Sequence, residues 1–380
     1  MQGFSALRIL AVLAKEFTQL SRDRLTYAMI LVMPIVQLML FGYAINNDPR
    51  HMPTAVLVQD QGAFSRSILA SLDNSGYFAL SHVAHTPAEL TRLVAAGEVQ
   101  FAVTIPGDFS RRVVRGDRAQ ILVEADASDP SATGGAIAAL AALPAEALRH
   151  DLTGALAPRQ DARPPFEVVV HRLYNPETVT AYNIVPGLLG VILSMTLVMM
   201  TALGVTRERE RGTMESLLAT PVRPIEVMVG KLAPYVVVGL IQTVVVLTLA
   251  RALFHVPMAQ SVGSWGVLGL GVLLFIVGSL ALGFLISTVA RTQLQAMQLS
   301  FFYIMPSILL SGFAFPFRGM PGWAQALGSC LPVTHFLRVV RGALLKGVGF
   351  ADLTPSLAAL AVFVIAVATL AMLRYRTTLD

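Results

Sequence analysis

The sequence predicts an α-helical membrane protein with six transmembrane helices and one α/β (α+β) domain outside the membrane. Composition supports the membrane assignment, because 55% of the 380 residues are hydrophobic and only 13% are charged, with a mean hydropathy of +0.66. The distribution of apolar residues along the chain supports the division into a membrane part and a domain outside it. One long apolar run lies near the N-terminus, five follow residue 180, and a polar stretch of about 130 residues separates them.

The N-terminal segment predicts two elements before the polar stretch. In residues 1–24, apolar side chains recur at helical spacing and the basic ones fall largely on the other side, as in an interfacial helix on the cytoplasmic membrane surface. An amphipathic helix packed on other protein is the alternative. Residues 25–46 predict an uncleaved transmembrane helix, since the run is about 20 residues long and no small-residue cleavage site ends it.

Residues 47–176 predict the extracytoplasmic α/β domain. Helical patterns at 63–72, 87–96 and 131–157 alternate with β-rich segments, which is typical of a mixed domain with its own core. The strands are predicted in five segments: TAVLVQD, YFALSHV, VQFAVTIP, QILVEAD and FEVVVHRL.

Residues 177–380 predict a five-helix transmembrane domain. The five spans are predicted at 181–204, 228–253, 264–289, 293–313 and 356–374. Each is near or above the roughly 20 residues that a helix needs to cross a hydrocarbon core about 30 Å thick.

Residues 312–347, before the last predicted span, are apolar but broken by prolines and glycines. Because proline interrupts a helix, this segment predicts short helices rather than one straight span. We expect a re-entrant region that dips into, or lies against, the outer face of the bilayer, shielded by protein or water.

Basic residues near the spans predict the orientation. They cluster in three places that share one side if six spans are present: Arg8, Lys15, Arg22 and Arg24; Arg207, Arg209, Arg211, Arg223 and Lys231; Arg374 and Arg376. That side is expected to be the cytoplasm, with both termini in it, and the α/β domain to be periplasmic, in a bacterial inner membrane. Arg338, Arg341 and Lys346 depart from the rule, which an amphipathic helix on the outer side would explain.

The sequence offers no energy source of its own. No Asp or Glu occurs from Val227 to Ala351 or within the apolar runs of the other spans, so the spans lack a carboxylate for a proton relay. The Gly230-Lys231 pair has Ile225 and Leu232 where a phosphate-binding loop requires Gly and Ser or Thr. We expect neither an enzyme nor a bound cofactor.

Metal and nucleic-acid binding are not expected either. The single cysteine, Cys330, has no His or Cys partner at metal-ligand spacing. Basic residues are scattered or placed beside apolar runs, which fits topology rather than a nucleic-acid surface.

Neutral polar side chains inside the spans are candidates to line a transport pathway. The selected residues are Gln37, Gln242, Gln298 and Tyr303. Hydrogen bonding between helices is the alternative role of each.

The loop at 206–224 predicts a contact surface for another protein. A run of alternating charge precedes Gly212, and Thr213 is a suitable N-cap for a short helix, with Glu215 in its first turn. Met214, Leu217 and Leu218 share one face, and prolines end the helix. Such a helix suits insertion into a groove, although a surface loop that anchors helix ends is the alternative.

Two segments resemble the permeases of type-2 ABC exporters. They are ERERGTMESLLATPVRPIEVMVGK, which looks like the family's charged run and coupling helix, and LSGFAFPFRGMPGWAQALGSCLPVTHFLRVVRGALLKG, which looks like its outer region before the last span. One subgroup of that family also has the arrangement predicted here, which is one span, a large outer domain and five further spans.

The resemblance implies a cytoplasmic ATPase partner that binds ATP and Mg²⁺ and receives the coupling residues Glu208, Arg211, Gly212, Thr213, Met214, Glu215, Leu217 and Leu218. It implies a pair of permeases, either two copies or a sister subunit. Membrane lipid and a periplasmic accessory protein are further expected partners. The outer domain would dock that accessory protein, and the alternatives are that it caps the exit or only stabilises the dimer.

The first expectation for the cargo of such a permease is a drug-like or hydrophobic compound, moved outward. A lipid or polysaccharide exporter is the alternative within transport. From another class, a non-transporting membrane subunit that moves its outer domain mechanically stays open.

Overall fold

The computed structural model describes residues 49–153, 156, 164–210, 224–259 and 261–374, and within them a sheet domain is followed by a helical body. The predicted helices at 1–24 and 25–46, with Gln37, lie outside the described residues. So do the coupling residues from Arg211 to Leu218.

The sheet domain contains five strands, at the positions that the β-rich segments predict. They are β1 (Met52–Val58), β2 (Phe78–Val83), β3 (Phe101–Ile105), β4 (Ala119–Asp126) and β5 (Phe166–Leu173). The order across the sheet is β2-β1-β3-β4-β5, and only β3 and β4 pair antiparallel. The parallel pairs require crossover connections, which the helices between the strands supply.

The described residues of this domain form four helices that cover the two faces of the sheet: α1 (Ala63–Asn74), α2 (Pro87–Ala95), α3 (Phe109–Arg115) and α4 (Pro130–Glu146). Apolar side chains of α1, α3 and α4 pack on one face, and those of α2 pack on the other. Helix α2 begins sharply because Pro87 occupies its first turn and the Thr86 hydroxyl accepts a hydrogen bond from the Glu89 backbone N–H.

The helical body begins with α5 (Thr180–Glu210), α6 (Pro224–Phe254), α7 (Val262–Val289) and α8 (Gln293–Leu310). It ends with α11 (Phe350–Arg374). Within the part of the chain that the structure describes, four helices are long and apolar enough to cross a bilayer, namely α5, α6 from Leu232, α7 and α11. Helix α8, which corresponds to the predicted span at 293–313, is not among them.

The segment before α11 is divided into short elements. It contains a 3₁₀ turn (Phe317–Gly319), α9 (Gly322–Ser329), α10 (Pro332–Arg341) and a π-helical turn (Gly342–Lys346). We call residues 312–347 the short-helix segment. Helix α10 packs into the body rather than lying apart from it, because its apolar side chains join those of α5, α7 and α11 in one buried cluster.

Helix α7 lies at the centre of the body. The Phe275 ring of α7 stacks on the Phe336 ring of α10, with centroids 4.2 Å apart and planes 10° from parallel. Farther along α7, a Cβ added at Gly283 would lie 2.6 Å from the Val198 carbonyl oxygen of α5. The backbones of α5 and α7 therefore approach each other as closely as a glycine allows.

Candidate functional site

The described end of the predicted coupling loop is the charged last turn of α5. Arg209 donates hydrogen bonds from Nη1 to the carbonyl oxygens of Ser287 and Ala290, at 3.3 and 3.2 Å. These two acceptors belong to the end of α7 and the residue that follows it. The basic side chain thus satisfies backbone carbonyls that a helix end leaves without partners.

The turn between α7 and α8 makes a second attachment to the same end of α5. The Glu210 carboxylate accepts hydrogen bonds from the Gln293 backbone N–H at 2.8 Å and from Gln293 Nε2 at 2.5 Å. Arg207 Nε donates to Gln293 Oε1 at 3.3 Å. Glu208, the one predicted coupling residue that the structure describes, lies half-buried in the same turn of α5.

These contacts join three helices at one point. They hold the last turn of α5, which precedes residues 211–223, against the end of α7 and the start of α8. We call Arg207, Arg209, Glu210 and Gln293 the α5 clamp.

The three described pathway candidates lie on two helices. Gln242 of α6 donates from Nε2 to Thr196 Oγ1 of α5 at 3.1 Å, which is the helix-to-helix role that was the alternative for this residue. Gln298 and Tyr303 lie on α8, and Gln298 Oε1 is buried without a hydrogen-bond partner among the described residues. In that part of the chain no hydrogen bond joins Gln242 to either α8 side chain.

A further set of polar contacts joins the sheet domain to the body. Lys346 Nζ lies 2.5 Å from Asp126 Oδ2 in a nearly buried ion pair, and it lies 3.4 Å from the Val94 carbonyl oxygen. Asn183 Nδ2 of α5 donates to Asp129 Oδ1 at 3.1 Å. Both halves therefore supply polar side chains to a contact from which most water is excluded.

Tyr174 lies beside this ion pair, and Lys346 Nζ is 5.2 Å from its ring centroid. Burial, with the negative charges of Asp126, Glu124 and Asp352 nearby, raises the pKa of Tyr174 to about 12. The phenol therefore stays neutral at physiological pH.

Only a weak signal in the sequence points to this junction between the sheet domain and the body. Arg338, Arg341 and Lys346 were exceptions to the distribution of positive charge, but nothing local identified Asp126 as the partner of Lys346. The two residues are 220 positions apart.

Across the described residues, no group of three or more His, Cys, Asp or Glu side chains is placed to hold a metal ion.

Comparison with known proteins agrees with this architecture. The family model for "ABC-2 family transporter protein" matches residues 24–373. The chain belongs to the ABC-2 transporter family. It is a membrane permease of that type, with four described helices that are able to cross a bilayer.

Individual relatives match over most of their length. The chain is 29% identical over 345 residues to "Probable multidrug ABC transporter permease YbhS" of Escherichia coli K12, covering 90% of this chain and 89% of that protein. It is 27% identical over 339 residues to "Probable multidrug ABC transporter permease YbhR" of the same strain, covering 89% and 90%. The "Inner membrane transport permease YhhJ" of that strain is 28% identical over 333 residues, with 86% of each chain covered.

Proposed function

We propose that this permease is the transmembrane subunit of an ABC exporter, which moves a drug-like or hydrophobic compound outward with energy from a separate cytoplasmic ATPase. The observation that carries the proposal is the α5 clamp. It joins the last turn of α5, just before residues 211–223, to the end of α7 and the start of α8. In this proposal the ATPase holds ATP and Mg²⁺.

The choice of cargo rests on the relatives. The names of YbhS and YbhR include the word multidrug, and this chain matches each over about nine-tenths of its length. The spans offer neutral polar and apolar side chains, which suit a hydrophobic cargo better than a strongly charged one. Export of a lipid or a polysaccharide is the alternative.

The proposed topology has six spans in the bacterial inner membrane, with both termini cytoplasmic and the sheet domain in the periplasm. The first span and the interfacial helix come from residues 1–46. The α5 clamp then lies at the cytoplasmic end of the body and the sheet domain at the opposite end, since α5 runs from one to the other. The short-helix segment forms the re-entrant outer region.

A second permease is part of the proposal. Most of the apolar stretch of α6 is exposed in the single chain, including Val237, Ile241 and Val244. This surface suits lipid or a second copy of the chain, because both present apolar groups. A periplasmic accessory protein would have the sheet domain as its docking platform.

Substitution in the coupling helix tests the connection to the ATPase. We expect Leu217→Asp and Leu218→Asp to abolish co-purification with the ATPase while the permease still inserts in the membrane, because a charge cannot enter an apolar groove without loss of binding. Val114→Asp, which adds the same charge on the exposed side of α3, is the matched control and should bind normally. ATPase binding by the Leu217 variant at the wild-type level would contradict the proposal.

A second variant distinguishes binding of the ATPase from transmission of its movement to the body helices. Glu210→Gln keeps the shape of the side chain but weakens its charge-assisted hydrogen bonds to Gln293. We expect the ATPase to bind it normally while the substrate-dependent increase in ATP hydrolysis falls severalfold. An unchanged increase would show that the α5 clamp does not transmit movement.

The alternative in which the ATPase drives the sheet domain mechanically has one observation in its favour, the ion pair between Lys346 and Asp126. It predicts ATP hydrolysis that responds to a protein bound at the sheet domain and not to hydrophobic compounds. Measuring hydrolysis by the purified complex with each addition distinguishes it from export.

A further inference from the structure

A cavity of about 480 Å³ lies between the sheet domain and the helical body. Its walls come from the loop after α2, the residues after β4, the short-helix segment and the first turns of α11. The volume falls in the range of about 300–1,000 Å³ that small-molecule sites occupy.

The charged side chains in its walls are unequal in number. Four are basic, namely Arg318, Arg338, Arg341 and Lys346. Three are acidic, namely Asp126, Asp129 and Asp352. The rule that basic residues cluster on the cytoplasmic side of the spans does not account for Arg338, Arg341 and Lys346.

Two of the carboxylates already have partners inside the protein. Asp126 forms the ion pair with Lys346. Asp129 accepts hydrogen bonds from Asn183 Nδ2 and from the Ser131 hydroxyl. Asp352 is left as the one cavity carboxylate for which the described residues provide no hydrogen bond.

The three arginines, in contrast, form no ion pair with these carboxylates, although the negative charge of Asp126 acts on Arg318 and those of Asp129 and Asp126 act on Arg341. Among the described residues, none of them has a carboxylate within 4.0 Å. Within the described part of the chain, Arg318 donates to the backbone carbonyls of Gly97 and Glu98 and to no other group. Burial, together with the positive charge of Arg338, lowers the pKa of Arg318.

Arg341 has hydrogen-bonding capacity that the fold does not use. Its Nη1 donates to the Gly312 carbonyl oxygen at 3.3 Å. Its Nε and Nη2 are buried and have no partner among the described residues. Leaving donors of a charged group without partners costs free energy, which an anion in the cavity would recover.

We infer that this cavity binds a phosphate group. Guanidinium groups offer the paired, planar donors that match phosphate oxygens, and a phosphate among three of them would reduce their mutual repulsion. This inference does not depend on which compound the permease exports or on how the ATPase is coupled.

The position of the cavity points to two sources of that group. Asn183, in the first turns of α5, contacts one wall, and Asp352 and Ser356, in the first turns of α11, line another. The cavity thus lies level with the ends of two spans, where lipid headgroups lie. A phospholipid headgroup and free phosphate from the adjacent water share the required chemistry.

Binding to the purified full-length permease in detergent tests the inference. The first probe is inorganic phosphate, compared with sodium chloride at equal ionic strength, with the thermal unfolding temperature as the measurement. The second is phosphatidylglycerol, compared with the diacylglycerol that lacks its phosphate, with retained lipid measured by native mass spectrometry.

Arg338→Gln is the main variant, because this side chain is exposed and its guanidinium carbon lies 4.9 Å from the Phe317 ring centroid, so the fold does not depend on a buried charge there. We expect its affinity for the phosphate probe to fall about tenfold, the usual size of a lost charge-assisted hydrogen bond. Arg251→Gln, exposed near the end of α6 on the same side of the body, is the matched control and should bind like wild type.

Each outcome has a defined meaning. Stabilisation by inorganic phosphate identifies free phosphate as a sufficient ligand, and retention of phosphatidylglycerol alone identifies the lipid headgroup. If Arg338→Gln misfolds on gel filtration, Arg338→Lys replaces it, with a smaller loss of affinity expected because one charge is kept and the paired donors are lost. Equal effects of phosphate and chloride together with equal retention of both lipids, or normal binding by the folded Arg338 variant, would overturn the inference.

Discussion

Helices α6 and α7 are both long and strongly apolar, yet they have opposite surroundings. In the most apolar stretch of α7, 61% of the residues are buried, against 17% in α6. This difference in burial goes with a difference in the size of the side chains on the two helices. Helix α7 has small residues at its closest contacts, including Gly271, Gly278 and Gly283, whereas α6 exposes branched residues such as Val244.

The comparison shows that hydropathy and helix packing are separate signals in this permease. A long apolar helix can cross a bilayer. Its apolarity does not decide whether it faces lipid or protein, because the two surroundings are equally apolar. Small residues determine which helix lies at the centre, since they allow backbones to approach. A change of equal size should therefore affect stability strongly in α7 and weakly in α6.

The largest effect is expected from truncating the central aromatic pair. Phe275→Ala removes a fully buried ring that stacks on Phe336, and we expect a loss of about 3–5 kcal/mol in the free energy of unfolding. Ile241→Ala in α6, where the side chain is 59% exposed, is the control and should change stability little. Denaturant unfolding of the purified permease measures both. Equal losses would remove the distinction between the two helices.

A smaller effect is expected from the closest helix crossing. Gly283→Ala places a methyl group 2.6 Å from the Val198 carbonyl oxygen, so α5 and α7 must move apart, at a cost of about 1–3 kcal/mol. Gly269→Ala lies in the same helix but meets nothing within 4 Å, and it should be neutral or slightly stabilising. If both variants unfold at the wild-type temperature, close approach is not what holds α7 in place.

The smallest effect is expected at the polar contact of α6. Gln242→Leu removes the hydrogen bond to Thr196 Oγ1, and hydrogen bonds between membrane helices average about 0.6 kcal/mol. Thr248→Val serves as the control, because its hydroxyl bonds only to a carbonyl of its own helix. A loss of transport by Gln242→Leu at unchanged stability would instead favour the pathway role for this residue.

Much of the sheet domain could be predicted from the sequence. The five predicted strands begin and end within two residues of those in the structure. Their alternation and β-branched residues are local signals, which a single segment displays fully. Helix α3 was missed because its seven residues are too few for a helical period to be visible.

The contacts between distant segments could not be predicted. The charged run at 207–210 is predicted to belong to a coupling loop, but its partners around Gln293 are more than 80 residues away. The same holds for Lys346 and Asp126. A local sequence pattern indicates whether a residue is buried, exposed or charged. It does not indicate which distant segment will contact that residue, because this depends on the fold.

Transport in reconstituted vesicles tests the central claim most directly, that the energy enters from outside this chain. A fluorescent hydrophobic dye is supplied to vesicles that contain the permease alone with a proton or sodium gradient, or the permease with its ATPase and ATP. We predict dye movement only in the second case, because the described spans and the whole sequence from Val227 to Ala351 offer no acidic relay. Dye movement by the permease alone, driven by the ion gradient, would contradict the account.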